Sequence, residues 1–164
     1  MLNIRMADAR DMRVIVDFIR KLAAYEELSD ALRFDAAVLE GHLFGERPAA
    51  EVLIAEWDGA PAGFALFYST FSTFAGAIGL YLEDLFVEPE LRGKGIGRAL
   101  LARLAALVVE RDGVRLDWSV LDWNAPAQRF YRALGAGPVE SWEYWRVEGD
   151  ALHRLARDRD GVPE

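Results

Sequence analysis

The amino-acid sequence predicts an α/β protein whose mixed central β-sheet is flanked by helices. Segments with apolar residues at helical spacing alternate with short apolar runs that are typical of strands. One of these runs leads into a glycine-rich loop, and a helical segment and another apolar run follow. A strand–helix–strand unit of this kind forms a right-handed parallel crossover. The expected order of elements is β-α-α-β-β-β-α-β-α-β.

Composition narrows the class of protein. The 164 residues are 52% hydrophobic, enough for one packed core, so we expect a single domain over residues 1–164. The absence of cysteine excludes disulfides and thiolate metal sites, and no metal-ligand spacing is present, so no metal is expected. A net charge of −8 disfavours nucleic acid as a partner. The chain has neither a membrane-length apolar stretch nor a secretory signal, so we expect a cytoplasmic protein without a membrane partner.

Sequence patterns in the first half of the chain predict one strand, then two helices, then three further strands. Alternating apolar residues over 2–6 indicate the first strand. Asp8 can cap a helix that continues to about Glu27, and Asp35 can cap a second, shorter helix. The runs 51–57 and 63–71 flank Asp58-Gly59, a dipeptide that favours a β-hairpin turn. A further strand is expected over 78–87.

The second half begins with the glycine loop and a well-buried helix over 98–111, which Asp112-Gly113 ends. A strand over 115–121 follows. Asn124 can cap a helix that continues to about Leu134. The sequence then predicts a last strand over 143–147 and a polar tail with a short helix.

The glycine loop, in the run FVEPELRGKGIGRALL (86–101), predicts an anion site. Gly93, Gly95 and Gly97 alternate just before a helix, where exposed N–H groups and the helix dipole favour negative charge. Three cationic side chains accompany them: Arg92, Lys94 and Arg98. A P-loop needs a Ser or Thr directly after its lysine, and a dinucleotide fingerprint needs a glycine at position 98, so both are excluded. A phosphate or pyrophosphate remains the favoured ligand, against a merely flexible connection.

The segment Arg92–Gly97 resembles the R/Q-x-x-G-x-G/A loop of the GNAT N-acetyltransferase superfamily, in which it holds the pyrophosphate of acetyl-coenzyme A. Further segments resemble the diamine (spermidine/spermine) acetyltransferase branch: LAAYEE (22–27), YLEDLFV (81–87), DWNAPAQRFYRALGA (122–136) and WR (145–146). The resemblance implies the GNAT fold, with acetyl-CoA as acetyl donor. The cofactor-binding residues that it implies are Leu85, Phe86, Val87, Arg92, Gly93, Lys94, Gly95, Ile96, Gly97, Asn124, Ala125, Pro126, Ala127 and Tyr131.

Acetyl transfer to an amine needs a base and an acid. Aliphatic amines have a pKa of about 10 and arrive protonated, so the proton must be removed. Glu83 and Asp84 lie side by side in an otherwise apolar strand, where alternation places them on opposite faces. They are either solvated acids of an edge strand or a cation site. The resemblance implies that Glu83 takes the amine's proton, directly or through water, and that Asp84 helps to form the amine site.

Tyr131 lies two helical turns after Asn124 and is either a core residue or an acid. The resemblance implies that Tyr131 protonates the coenzyme A thiolate. It also implies the substrate-binding set Tyr25, Glu26, Glu83, Asp84, Asp117, Trp118, Ser119 and Glu143. The segments SWEYWR and 71–77 depart from the pattern of the branch, which puts spermidine in doubt but not an amine acceptor.

The expected function is direct transfer of acetyl from acetyl-CoA to a small primary amine of polyamine or diamine type. An acceptor of the thialysine or lysine type, or a drug-like amine, is the alternative, with Arg146 or Arg115 near the carboxylate of such an amino acid. A non-catalytic acyl-CoA-binding module is a further alternative. The resemblance also implies a homodimer.

Overall fold

A computed structural model describes residues 1–140 and 142–157. The chain divides into two compact units, Met1–Ser119 and a second unit that begins at Val120. The single domain over 1–164 therefore stays a prediction. No helix within the described ranges is long and apolar enough to cross a membrane.

The first unit contains five strands and three α-helices: β1 (Leu2–Met6), α1 (Met12–Tyr25), α2 (Ala36–Phe44), β2 (Glu51–Trp57), β3 (Ala60–Ser72), β4 (Ala77–Val87), α3 (Ile96–Glu110) and β5 (Leu116–Trp118). The second unit contains α4 (Ala125–Arg132) and α5 (Gly149–Arg157). The predicted element order is thus confirmed as far as α4. The short helix predicted in the tail is α5.

The sheet has the order β1-β2-β3-β4-β5. Neighbouring strands are antiparallel except β4 and β5, which are parallel and are connected through α3. The α/β class with a mixed sheet is confirmed. The parallel pair spans three residues of each strand, so β5 is shorter than the predicted run 115–121.

Local turn chemistry sets several element ends. Asp58 and Gly59 both have positive φ, 51° and 83°, as the tight β2–β3 hairpin requires. The Asp35 side chain accepts hydrogen bonds from the amides of residues 37 and 38 and caps α2, as predicted. Helix α1 ends earlier than expected, at Tyr25, because Glu27 adopts a left-handed φ of 60°.

Two helices define the two faces of the sheet. A buried cluster joins α1 to β3 and β4: Ile15, Phe18, Leu22, Phe64, Leu66 and Phe86. We call this side of the sheet the α1 face. The opposite side, the α3 face, packs against α3, whose buried residues are Ile96, Leu100, Leu101, Leu104, Leu107 and Val108. Side chains alternate between these faces along each strand.

The predicted strand over 143–147 is wrong. Residues 142–148 form no strand. The relative exposures of Trp142, Tyr144 and Trp145 are 77%, 82% and 83%, so the alternating aromatics have no buried face to pack against. Strand formation needs a partner and a half-buried surface as well as β-favouring residues. Ser141 and the tail from residue 158 onward lie outside the described residues.

Candidate active site

The site begins where the pairing between β4 and β5 ends. The parallel register joins Leu80 to Leu116 and Leu82 to Trp118. Residues 83–87 lie beyond this paired stretch and bond to β3 on their other side. The predicted cofactor-binding residues 85–87 are therefore on a strand edge that can accept an added extended chain.

A β-bulge lies at Glu83. In the antiparallel register Phe67 faces Leu82 and Leu66 faces Asp84, so Glu83 is the extra residue of β4. Its side chain is exposed, whereas Asp84 is half-buried on the α1 face beside Leu66. The bulge interrupts the strict alternation on which the sequence prediction for the two acids relied.

Asp84 carries an unusual proton affinity. Burial, and then the neighbouring charges of Glu83 and Glu26, raise the pKa of Asp84 to about 7. Burial also raises the pKa of Glu26, which lies at the C-terminal end of α1. No cation or hydrogen-bond donor of the described residues is paired with Asp84. A bound cation would relieve this burial cost.

Two further predicted substrate residues share that face. Tyr81 pairs with Asp117, which places Asp117 on the α1 face, and Ser119 follows two positions later. Asp117 forms an ion pair of 2.8 Å with Arg115. Trp118 pairs with Leu82 and projects from the α3 face instead. The structure thus brings Glu26, Asp84, Asp117 and Ser119 to one side of the sheet, and not Trp118.

Sequence reasoning missed an aromatic pair on the α1 face. Tyr68 and Tyr81 face each other in the β3–β4 register, with ring centroids 5.2 Å apart and planes inclined by 28°. The hydroxyl groups of Tyr81 and Ser119 share a hydrogen bond of 2.6 Å. Tyr81 is the first residue of the segment YLEDLFV, on which the resemblance rests. Its place in that segment could have marked it as a candidate site residue. Tyr68 could be identified only from the β3–β4 register, which the sequence motif does not contain.

The glycine loop has the geometry of an anion cradle. Gly93 and Gly95 have φ of 77° and 82°, and a Cβ at either position would meet no atom within 4 Å. Helix α3 begins at Ile96, and its first backbone bond runs from the Ala99 amide to the Gly95 carbonyl, at 3.0 Å. The amides of residues 96–98 therefore lack an intrahelical acceptor. These amides and the open space above the glycines fit a phosphate group.

Two cations of the glycine loop, Arg92 and Lys94, lie over nearby aromatic rings. Arg92 Nε donates to the Val87 carbonyl at 3.1 Å, and its guanidinium lies 4.7 Å from the centroid of Tyr25. Lys94 Nζ lies 5.2 Å from the centroid of Trp57. Arg92 thereby links the loop to the end of β4 and to predicted substrate residue Tyr25.

The second unit contains the remaining predicted site residues. Asn124 is buried and caps α4 by accepting a 3.2 Å hydrogen bond from the Ala127 amide, as predicted. Ala125 and Pro126 form the first turn of α4. Tyr131 is half-buried in its last turn.

Glu143 is exposed in the irregular segment 142–148 of the second unit. Within the described ranges, the structure contains no group of three or more His, Cys, Asp or Glu that could hold a metal ion.

Comparison with known proteins gives the family. The model of the Acetyltransferase (GNAT) family matches residues 20–136. Thialysine N-epsilon-acetyltransferase of Bos taurus is 38% identical over 164 residues, covering 93% of this chain and 96% of that protein. Spermidine/spermine N(1)-acetyltransferase-like protein 1 of Homo sapiens is 34% identical over 152 residues, covering 88% of this chain and 22% of that protein.

Solved structures share the fold of this chain. An integron cassette protein from the mobile metagenome of V. cholerae has a TM-score of 0.79 and 30% identity, covering 95% of this chain and 98% of that one. The ribosomal-protein-alanine N-acetyltransferase of Brucella melitensis, with a TM-score of 0.71, 23% identity and coverage of 91% and 100%, shares the fold. The two acetyltransferases of Bos taurus and Homo sapiens lie in the polyamine-acetyltransferase branch that the sequence segments predicted. The chain belongs to the acetyltransferase (GNAT) family and is an N-acetyltransferase.

Proposed function

We propose that the protein transfers an acetyl group directly from acetyl-CoA to a primary amine of a small polyamine- or diamine-like molecule. The observation that carries this proposal is Asp84, a half-buried carboxylate without a cationic partner among the described residues. Asp84 stands on the strand that leads into the glycine loop. A protonated amine is the ligand whose charge suits that position.

The first unit supplies groups suited to the cofactor. The open amides at the start of α3 and the left-handed glycines of the loop would hold its pyrophosphate. The edge of β4 over 85–87, which lies beyond the pairing with β5, would pair with its pantetheine arm. Residues 124–127 and Tyr131 are the further proposed cofactor contacts. Bound acetyl-CoA supplies the acetyl group as a thioester.

Two residues transfer protons in the proposed reaction. Glu83 is the general base and takes a proton from the acceptor amine through water, which its exposed position at the bulge permits. Tyr131 is the general acid, and its phenolic hydroxyl returns a proton to the thiolate sulfur. A phenol of pKa about 10 can donate to a thiolate as charge develops.

The acceptor of the alternative proposal is an amino acid. The similarity to thialysine N-epsilon-acetyltransferase of Bos taurus favours an acceptor of the thialysine or lysine type. Such an acceptor needs a cation near its carboxylate. Arg115 is engaged by Asp117, and Arg146 is exposed in the second unit, 3.6 Å from Glu148. The acids of the α1 face favour a diamine over a zwitterion.

We also propose that the protein acts in the cytoplasm and forms a homodimer.

The test is a coenzyme A release assay against a panel of diamines, polyamines, lysine-like amino acids and aminoglycosides. We expect the highest kcat/KM with a diamine or polyamine and initial-rate patterns of a ternary complex. Tyr131→Phe should lower kcat by about 100-fold while the KM values change little. A ping-pong pattern, or coenzyme A binding without transfer to any amine, contradicts the proposal.

A further inference from the structure

The Tyr68–Tyr81 pair occupies the α1 face where the cover by α1 ends. Phe64 and Leu66 of β3 belong to the buried cluster beneath α1, whereas Tyr68, the next residue of this face, is half-buried. Tyr81 is half-buried as well. The stacked rings therefore present part of their surface to solvent on the same face as Asp84.

The orientation of Tyr81 is fixed by Ser119. Their hydroxyl oxygens are 2.6 Å apart, and Ser119 directly follows the last residue of β5. The parallel ladder already joins β4 to β5 at this point, through Tyr81 and Asp117 among others. Because Ser119 is exposed, its side chain adds little to the core. The bond restrains the phenol ring more than it stabilises the sheet.

The charges around the rings indicate what they can bind. Asp84 follows Tyr81 on the same face of β4, and Asp117 lies beside Tyr81 on β5. Arg115, the nearest cation of that row, is paired with Asp117. Aromatic faces attract alkyl chains and ammonium groups, and carboxylates bind the ammonium itself. An aromatic surface flanked by acids is therefore suited to an aliphatic ammonium ion.

We propose that Tyr81, held by Ser119, is a specificity-determining residue whose ring binds the unbranched alkyl chain of the acceptor amine. This inference rests on the proposed function and adds the part of the acceptor that is recognised beside its ammonium group. Acceptors with an unbranched chain lie flat on the ring. Branched acceptors hold fewer carbons against it and bind more weakly.

The test compares steady-state constants for wild type, Tyr81→Phe, Ser119→Ala and the double variant, with unbranched diamines of increasing length. Each single variant should raise the KM for the diamine about five-fold and leave the KM for acetyl-CoA unchanged. The double variant should match the single ones because both remove the same bond. Tyr81→Leu, which removes the ring, should raise the diamine KM by about ten-fold and abolish the preference for chain length.

Ser69→Ala is the matched control, because Ser69 is exposed and pairs with Leu80 on the α3 face. It should behave as wild type. Unchanged diamine KM and chain-length preference in the Tyr81 and Ser119 variants overturn the inference. Parallel changes in both KM values together with a lower Tm indicate a structural role and overturn it too.

The proposed function can fail separately. If wild type acetylates no amine, the proposed function is wrong, and calorimetric titration of a diamine into the coenzyme A-bound wild type and Tyr81→Leu decides the inference. At least a ten-fold weaker affinity of the variant supports it, and equal affinity or no binding to either protein overturns it.

Discussion

Asp84 holds its carboxylate in a position that penalises charge. Its pKa of about 7 lies above the ordinary value of 3.8, so the folded protein keeps a proton that the unfolded chain has lost. Between these two pH values the folded state binds more protons than the unfolded state. The stability contributed at this position therefore falls as the pH rises from about 4 to about 7 and stays low above that.

Asp84→Asn should remove this penalty, because an amide is uncharged at every pH. We expect a higher Tm for the variant at pH 8 and little difference at pH 4, with a gain in unfolding free energy of at most about 4 kcal/mol. Thermal unfolding at the two pH values measures it. The same variant should raise the KM for the acceptor amine. Asp30→Asn, at an exposed acid of the loop before α2, is the control. A difference in Tm between the variant and wild type that is equal at pH 4 and pH 8 contradicts the raised pKa of Asp84.

Individual site residues could be predicted from the sequence to different degrees. The caps Asp35 and Asn124 were predictable, since each depends on a few neighbouring amides. The different burial of Glu83 and Asp84 was not, because it depends on a bulge that only the β3 register creates. Tyr68 was also missed, because the ring that it stacks on, Tyr81, lies on the next strand, thirteen residues later in sequence.

The connection from β4 to α3 depends on glycine conformation at one element boundary. Gly95 precedes α3 with φ of 82°, a region that costs an L-residue about 1 kcal/mol. Gly95→Ala should therefore lower the unfolding free energy by about 1 kcal/mol and weaken acetyl-CoA binding, because the loop amides shift. Denaturant unfolding and calorimetric titration of coenzyme A measure these two effects.

Gly41→Ala is the matched control for that experiment. Gly41 lies inside α2, and a Cβ there meets no atom within 4 Å. Alanine is the better helix former, so this variant should gain about 0.5–1 kcal/mol and bind coenzyme A as wild type does. Equal stability changes in the two variants would show that Gly95 has no conformational requirement.

Elements were predictable where local pattern and tertiary environment agree. The first strand over residues 2–6 and the hairpin at Asp58-Gly59 follow from alternation and turn chemistry. The segment 143–147 has the same aromatic and branched composition as a strand, yet its side chains lie exposed. Propensity describes the segment alone, whereas a strand also needs neighbouring backbone.

At the scale of the whole molecule, the exposed aromatics of the second unit bear on the proposed homodimer. Trp142, Tyr144 and Trp145 are largely exposed within four consecutive positions, an arrangement that favours contact with another protein surface. Sedimentation equilibrium should give twice the 18.4 kDa of one chain.

Trp145→Glu should shift the species toward the mass of one chain, because a charge at a packed interface is costly. Val109→Glu, an exposed apolar position on α3, is the control and should leave the mass unchanged. Wild type at the mass of one chain across micromolar concentrations contradicts the homodimer.

The contact between Lys94 and Trp57 gives the protein an optical signal of its own. An indole ring emits differently with a cation 5.2 Å from its centroid than with water there. A phosphate bound at the loop attracts the lysine and changes that distance. Intrinsic fluorescence should therefore follow coenzyme A binding without a label, and Trp57→Phe should silence the response while the other tryptophans continue to emit.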